Sequence, residues 1–253
     1  MAKTELLYGL HSVDAVLKNH PERVLEVFVQ QERDDKRIDL LCQAASHAGL
    51  PVQRVLAKKM DQLPVQEYAA ALNHQGIIAR CRPQPVLSDD ELMVFLASLQ
   101  RPPFLLMLDS VSDPQNLGAC LRVADGAGVD AVITTKDKAV GLTPVVKRVA
   151  SGAAESLPFF QVVNLTRTIR ALQESGVFVV GTALEENALS LYETNLRGAL
   201  AIVMGAEGKG LRRLVKETVD QLVYLPMRGA VQSLNVATAS GICLYEALRQ
   251  RQV

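Results

Sequence analysis

Short apolar runs alternate with longer stretches of helical periodicity through the second half of the chain. Phe104–Leu108, Ala131–Thr134, Leu157–Val162, Val177–Gly181, Leu200–Met204 and Leu222–Leu225 are nearly uninterrupted in apolar residues. Such runs suit strands covered on both faces. Between them Leu117–Ala127, Thr143–Ala150, Asn164–Glu174 and Leu211–Glu217 are predicted helices. A last helix is predicted over Asn235–Arg251, with apolar residues at Val236, Ala239, Ile242, Cys243, Leu244 and Leu248. Strand–helix alternation implies an α/β fold with a mainly parallel sheet and right-handed crossovers. Ligands then sit at the strand carboxyl ends.

The first 80 residues read as a smaller α/β domain. Val24–Gln30, Val52–Leu56 and Gly76–Cys81 have strand character, and Arg37–Ala48 is a helix stopped by Gly49 and Pro51. Pro83 and Pro85 make the next stretch extended. Ser88 or Asp89 can cap a helix over Glu91–Gln100. The chain therefore divides into residues 1–81, a linker with the start of a helix over 82–98, and a domain over 99–253.

Composition narrows the class without choosing a function. At 253 residues, 49% hydrophobic and 21% charged, the chain can bury a large core and reads as soluble and globular. No apolar run reaches the roughly 20 residues of a membrane span. The amino-terminal residues lack the pattern of a secretory signal, so a cytoplasmic location is expected. Cys42, Cys81, Cys120 and Cys243 form no Cys-x-x-Cys pair, which argues against a metal site or disulfide framework. Lys+Arg and Asp+Glu are both 27. The charge balance alone gives no reason to propose a nucleic acid, and such a partner must be argued from local patches.

Three segments carry candidate chemistry. The first, Leu108–Val129, places a polar loop after a strand, with Asn116 read as the cap of the following helix and Arg122 six residues on. Six residues turn a helix by about 600°, so these two do not share a face. A planar guanidinium at Arg122 suits a phosphate or carboxylate, against the plainer reading of a surface pair with Asp113 or Asp125. The second segment, Val203–Leu211, is a glycine-rich turn with one carboxylate, Glu207. It fits neither G-x-G-x-x-G nor the phosphate loop, because Leu211 and Arg212 stand where Lys and Ser/Thr belong. The third, Leu225–Gln250, carries Gly229 and then Ser233, a natural cap for the terminal helix. All four histidines lie before residue 75, so no Ser/His/Asp or HExxH set competes.

Taken together, the motifs resemble one known family. Asn116, Gly118, Arg122, Ala124 and Gly128 match N-x-G-x-x-x-R-x-A-x-x-x-G. Gly205, Glu207, Gly210 and Leu211 match GxExxGL. Pro226, Gly229 and Ser233–Val236 match P-x-x-G-x-x-x-SLNV. This is the pattern of the SpoU/TrmH class of SPOUT methyltransferases. The first domain, with YGLHSV and HQGIIAR, is similar to the small ribosomal-protein-like RNA-binding domain of the same enzymes. The resemblance implies a parallel sheet with a deep trefoil knot, a homodimer through the catalytic domain, S-adenosyl-L-methionine as cofactor and no metal. It points to 2′-O-methylation of a guanosine in 23S rRNA, with tRNA methylation or a non-catalytic assembly role as alternatives. Catalytic roles fall on Arg122, Asn116, Glu207, Ser233 and Asn235. Cofactor contacts fall on Gly205, Leu225, Leu234, Thr182, Ala183, Met227 and Gly229. RNA contacts fall on Arg80, Arg82, Lys147, Arg148, Lys209, Arg212 and Arg213. Two positions depart from the pattern: Ala237 replaces a frequent serine after SLNV, and Gln232 stands where a small residue is common.

Overall fold

The computed structural model describes residues 4–31, 33, 35–63 and 74–252. They form two units: residues 1–85 with 151–156, and residues 86–150 with 157–253.

In the first unit, β1 (Glu5–Tyr8) leads into α1 (Leu10–Asn19), and β2 (Val24–Gln30) into α2 (Lys36–His47). β3 (Val52–Val55), α3 (Ala57–Asp61) and β4 (Ile77–Cys81) follow. The sheet order is β1-β4-β2-β3. Asp35 caps α2 by accepting from Arg37 N. Val13, Val16, Val27, Val29, Ile38, Leu41 and Ile77 close one core. Arg23 is 6% exposed and lies between two carboxylates. It bonds Glu155 at 2.6 Å and Glu5 at 2.7 Å. The hydrophobic pattern had not indicated β1, α1 or α3.

The second unit opens on α4 (Asp89–Ser98). The Glu91 carboxylate accepts from both the main-chain N–H and the hydroxyl of Ser88, each at 2.8 Å. These bonds hold its carboxyl below the usual carboxylate range. Asp89 serves elsewhere, accepting from Val163 N and Thr168 Oγ1.

Next come β5 (Phe104–Asp109), α5 (Pro114–Gly126), β6 (Ala131–Thr135), α6 (Pro144–Ala150) and the short α7 (Ala153–Ser156), which groups with the first unit. β7 (Phe159–Val162), α8 (Leu165–Glu174), β8 (Phe178–Thr182) and β9 (Leu189–Ser190) continue the chain. It ends with β10 (Leu200–Gly205), α9 (Arg213–Thr218), β11 (Gln221–Tyr224) and α10 (Val236–Arg251).

Among the described residues the sheet has seven strands, ordered β7-β6-β5-β10-β8-β11-β9. Its pairings are all parallel. Alternation divides each strand between two faces. Leu105, Met107, Ile133, Val179 and Val203 join one core with Leu92, Leu165, Ile169, Leu172 and Val215 from α4, α8 and α9. Leu106, Leu108, Val132, Val180 and Ile202 are also fully buried, which explains why the runs are continuous rather than alternating. α5 packs on both α6 and α10, and α10 also touches β10. Gly118 permits the α5–α6 approach, because a Cβ there would lie 2.6 Å from Val149 Cβ and 2.8 Å from the Val146 carbonyl oxygen. No helix among the described residues is long and apolar enough to cross a membrane.

Candidate active site

Three neighbouring strands end together. β10 and β8 run parallel with Val203 opposite Gly181, and β11 follows with Val223 opposite Thr182. Gly205, Thr182, Ala183 and Leu225 therefore stand at one carboxyl edge. Thr182 Oγ1 donates to Val203 O at 3.3 Å, and Ala183 N donates to Val223 O at 2.9 Å. Met227, Gly229 and Leu234 follow on the irregular stretch between β11 and α10.

The turn after β10 folds back on itself. Gly210 N donates to Ala206 O at 2.8 Å, and Gly208 and Gly210 both have positive φ. A Cβ on Gly205 would lie 2.2 Å from the Gly210 carbonyl carbon, so only glycine fits. This closure presents Glu207 at the strand ends.

A run of hydrogen bonds then joins all three motifs. Asn116 Nδ2 donates to Glu207 Oε2 at 2.9 Å, and Asn235 Nδ2 donates to Asn116 Oδ1 at 2.8 Å. Asn235 Oδ1 accepts from Ala237 N at 2.9 Å. Each asparagine uses its amide as donor on one side and acceptor on the other, which fixes both orientations. Arg122 lies exposed on α5, six residues beyond Asn116. Ser233 is exposed, two residues before Asn235.

Two capping expectations are corrected. Asp113, not Asn116, caps α5: its side chain accepts from Asn116 N at 2.9 Å, and Pro114 takes the first helical position. Asn116 is thereby released to use its side chain across the site. Likewise Asn235, not Ser233, caps α10. Of the basic residues expected to meet RNA, Lys147 is only 6% exposed and does not belong to a surface patch. Arg80 pairs with Glu26 at 2.7 Å and stacks 5.3 Å over the Phe28 ring. Arg213 pairs with Glu217.

The sequence reading missed Asp109. This residue ends β5 and is fully buried. Its carboxylate accepts from Arg212 N at 2.8 Å and from Arg212 Nε at 2.6 Å. The only local signal was a carboxylate closing a run of five apolar residues. Beside this pair a cleft of about 460 Å³ is lined by Ser110, Ser112, Asp113, Asn116, Lys138, Glu207, Lys209 and Arg212 among others. Among the described residues no group of His, Cys, Asp and Glu side chains could hold a metal ion.

Comparison with known proteins fits this geometry. The SpoU rRNA Methylase family profile matches residues 103–245, and the profile for RNA 2′-O ribose methyltransferase substrate binding matches residues 6–87. The chain belongs to the SpoU rRNA methylase family. It is 51% identical over 252 residues to the 23S rRNA (guanosine-2′-O-)-methyltransferase RlmB of Shewanella oneidensis, covering 100% of both chains. A crystal structure of an RNA 2′-O ribose methyltransferase superposes with a TM-score of 0.76 at 27% identity, covering 100% of this chain and 90% of that one. The SpoU methyltransferase AviRb from Streptomyces viridochromogenes, solved with the cofactor AdoMet, shares the fold with a TM-score of 0.77. Its identity is 21%, over 98% of this chain and 90% of that one.

Proposed function

We propose that this chain methylates the ribose 2′-hydroxyl of a guanosine in 23S rRNA, using S-adenosylmethionine. The observation that carries the reading is the Glu207–Asn116–Asn235 relay, which gathers three distant motifs beside the ends of β10, β8 and β11. The full-length likeness to a 23S rRNA guanosine methyltransferase supplies the substrate class.

The cofactor fits this edge. Residues 226–234 make no main-chain hydrogen bond to the described residues, so their N–H and C=O groups are open to a flat polar ligand. Met227, Gly229 and Leu234 on this stretch would hold it, with Leu225, Gly205, Thr182 and Ala183 at the strand ends. When bound, S-adenosylmethionine supplies an activated methyl sulfonium.

The protein's residues have then to position the acceptor and make its hydroxyl nucleophilic. Positioning alone is worth several kcal/mol. A guanidinium offers N–H donors and no acceptor site, so Arg122 takes no proton. Its role is to clamp an RNA phosphate and stabilise the developing 2′-alkoxide. The hydroxyl proton leaves to water or a phosphate oxygen. Asn116 and Asn235 hold Glu207, and Ser233 lines the approach. The first unit binds RNA, as its match to a substrate-binding family suggests.

The same reading includes a cytoplasmic homodimer and a trefoil knot. The strand order is compatible with the knot: β10 and β11 enter the sheet between strands formed earlier in the chain. Mapping ribose methyls by mass spectrometry in RNA from cells lacking the protein tests the function. One guanosine of 23S rRNA should lose its methyl, and an unchanged map would overturn the reading.

A further inference from the structure

We propose that Arg212, held by buried Asp109, reads a backbone phosphate of the bound RNA in the cleft beside the relay. The inference rests on the RNA-methylation reading above and names a specificity contact for it. Asp109 is fully buried at the end of β5, yet neither of its side-chain oxygens serves the sheet. Both accept from Arg212, one from the main-chain N–H and one from Nε, and Ser110 Oγ adds a third bond at 3.1 Å. A carboxylate out of water needs such partners. The result is a guanidinium fixed by its Nε edge while its side chain stays 48% exposed. Among the described residues Nη1 and Nη2 bond to nothing, so two N–H pairs remain in a fixed plane. That geometry suits two oxygens of one phosphate.

The cleft agrees with an anion. Lys138, Lys209 and Arg212 line it with the hydroxyls of Ser110 and Ser112. Its two lining carboxylates are already engaged, Asp113 in capping α5 and Glu207 by Asn116. Asp109 balances Arg212 and the two lining carboxylates balance the two lysines, so it is the outward N–H fork of Arg212, rather than net charge, that favours a phosphodiester. Since Glu207 and Asn116 also line the cleft, a phosphate here lies next to the proposed catalytic relay. It is distinct from the phosphate assigned to Arg122, which sits further along α5.

The test uses three variants of the full chain and an RNA fragment of the large ribosomal subunit as probe. Arg212→Lys keeps the charge facing Asp109 but loses the fork. Asp109→Asn with Arg212→Gln removes both charges, so no buried carboxylate is stranded. Lys209→Gln changes only an exposed side chain. The fragment is titrated over a range of salt, and the dissociation constant for S-adenosylmethionine is measured separately. Each variant should bind RNA about tenfold more weakly, with cofactor affinity kept. Lys209→Gln and the double variant should also flatten the salt slope by about one ion. Unchanged RNA affinity would overturn the assignment, as would loss of cofactor binding instead, which would mark the cleft as a cofactor subsite. Wild-type protein that binds the fragment but methylates nothing would defeat the methylation reading alone. Failure to bind the fragment at all would defeat both.

Discussion

Asn116 Nδ2 donates to Glu207 Oε2 over 2.9 Å, across 91 residues of chain. The bond ties the first turn of α5 to the turn after β10, and Asn235 fixes the far side of the same amide. Asn116→Asp replaces a donor with a second carboxylate facing Glu207. Methyl transfer to RNA should fall about 10²-fold, the scale of a lost positioning contact. Glu207→Gln, which keeps an acceptor oxygen, should fall much less. Steady-state rates on the two variants decide it, and equal losses would speak for a direct role of the Glu207 charge.

Arg122→Ala should lower methylation by about 10²–10³-fold, as for removal of a transition-state donor. Cofactor affinity, read by calorimetry, should stay within twofold. Loss of cofactor binding, with transfer per bound complex intact, would reassign Arg122 from the acceptor to the donor side.

Arg23→Leu should destabilise the protein by about 3–5 kcal/mol, because it removes the guanidinium that faces a buried carboxylate. Glu155 is 1% exposed and bonds Arg23 at 2.6 Å. Urea unfolding followed by circular dichroism measures the change. A loss below about 1 kcal/mol would mean that water reaches the pair.

Gly118→Ala should cost about 1–3 kcal/mol through overpacking. The added methyl would meet Val149 Cβ at 2.6 Å and the Val146 carbonyl at 2.8 Å, and backbone yields less readily than side chain. A fall in melting temperature without loss of helix content is the expected signature.

Burial pushes the Cys120 thiol up to about 11 and the Cys243 thiol up to about 12, from 9.0. The folded state therefore favours the neutral thiols. Their contribution to stability is complete below pH 9 and is lost as pH rises from there through 11 to 12. Denaturant midpoints should drop over that window, each thiol removing at most about 1.4 kcal/mol of stability per pH step of one. Replacing both cysteines by alanine should flatten the drop. At pH 8 a thiol reagent added to native protein should leave both thiols unmodified while reacting with partly exposed Cys42.

Much of this protein was readable from residues only a few positions apart. The uninterrupted run at Phe104–Leu108 and the glycine spacing at Gly205–Gly210 each express a local rule of burial or backbone freedom. The assignment of caps was local too: it held for Ser88 at α4, but at two other helices it went to the wrong residues. Pro114 at the first turn made Asp113 the cap, and Asn235 displaced Ser233 at α10. What no local pattern held was the meeting of Asn116 with Asn235, 119 residues apart. Nor could it place Arg212 on Asp109, or bury Lys147. Periodicity reports which face of an element avoids water. Which elements then become neighbours depends on how all those faces are buried at once, and the polar groups at their ends find partners only after that choice is made.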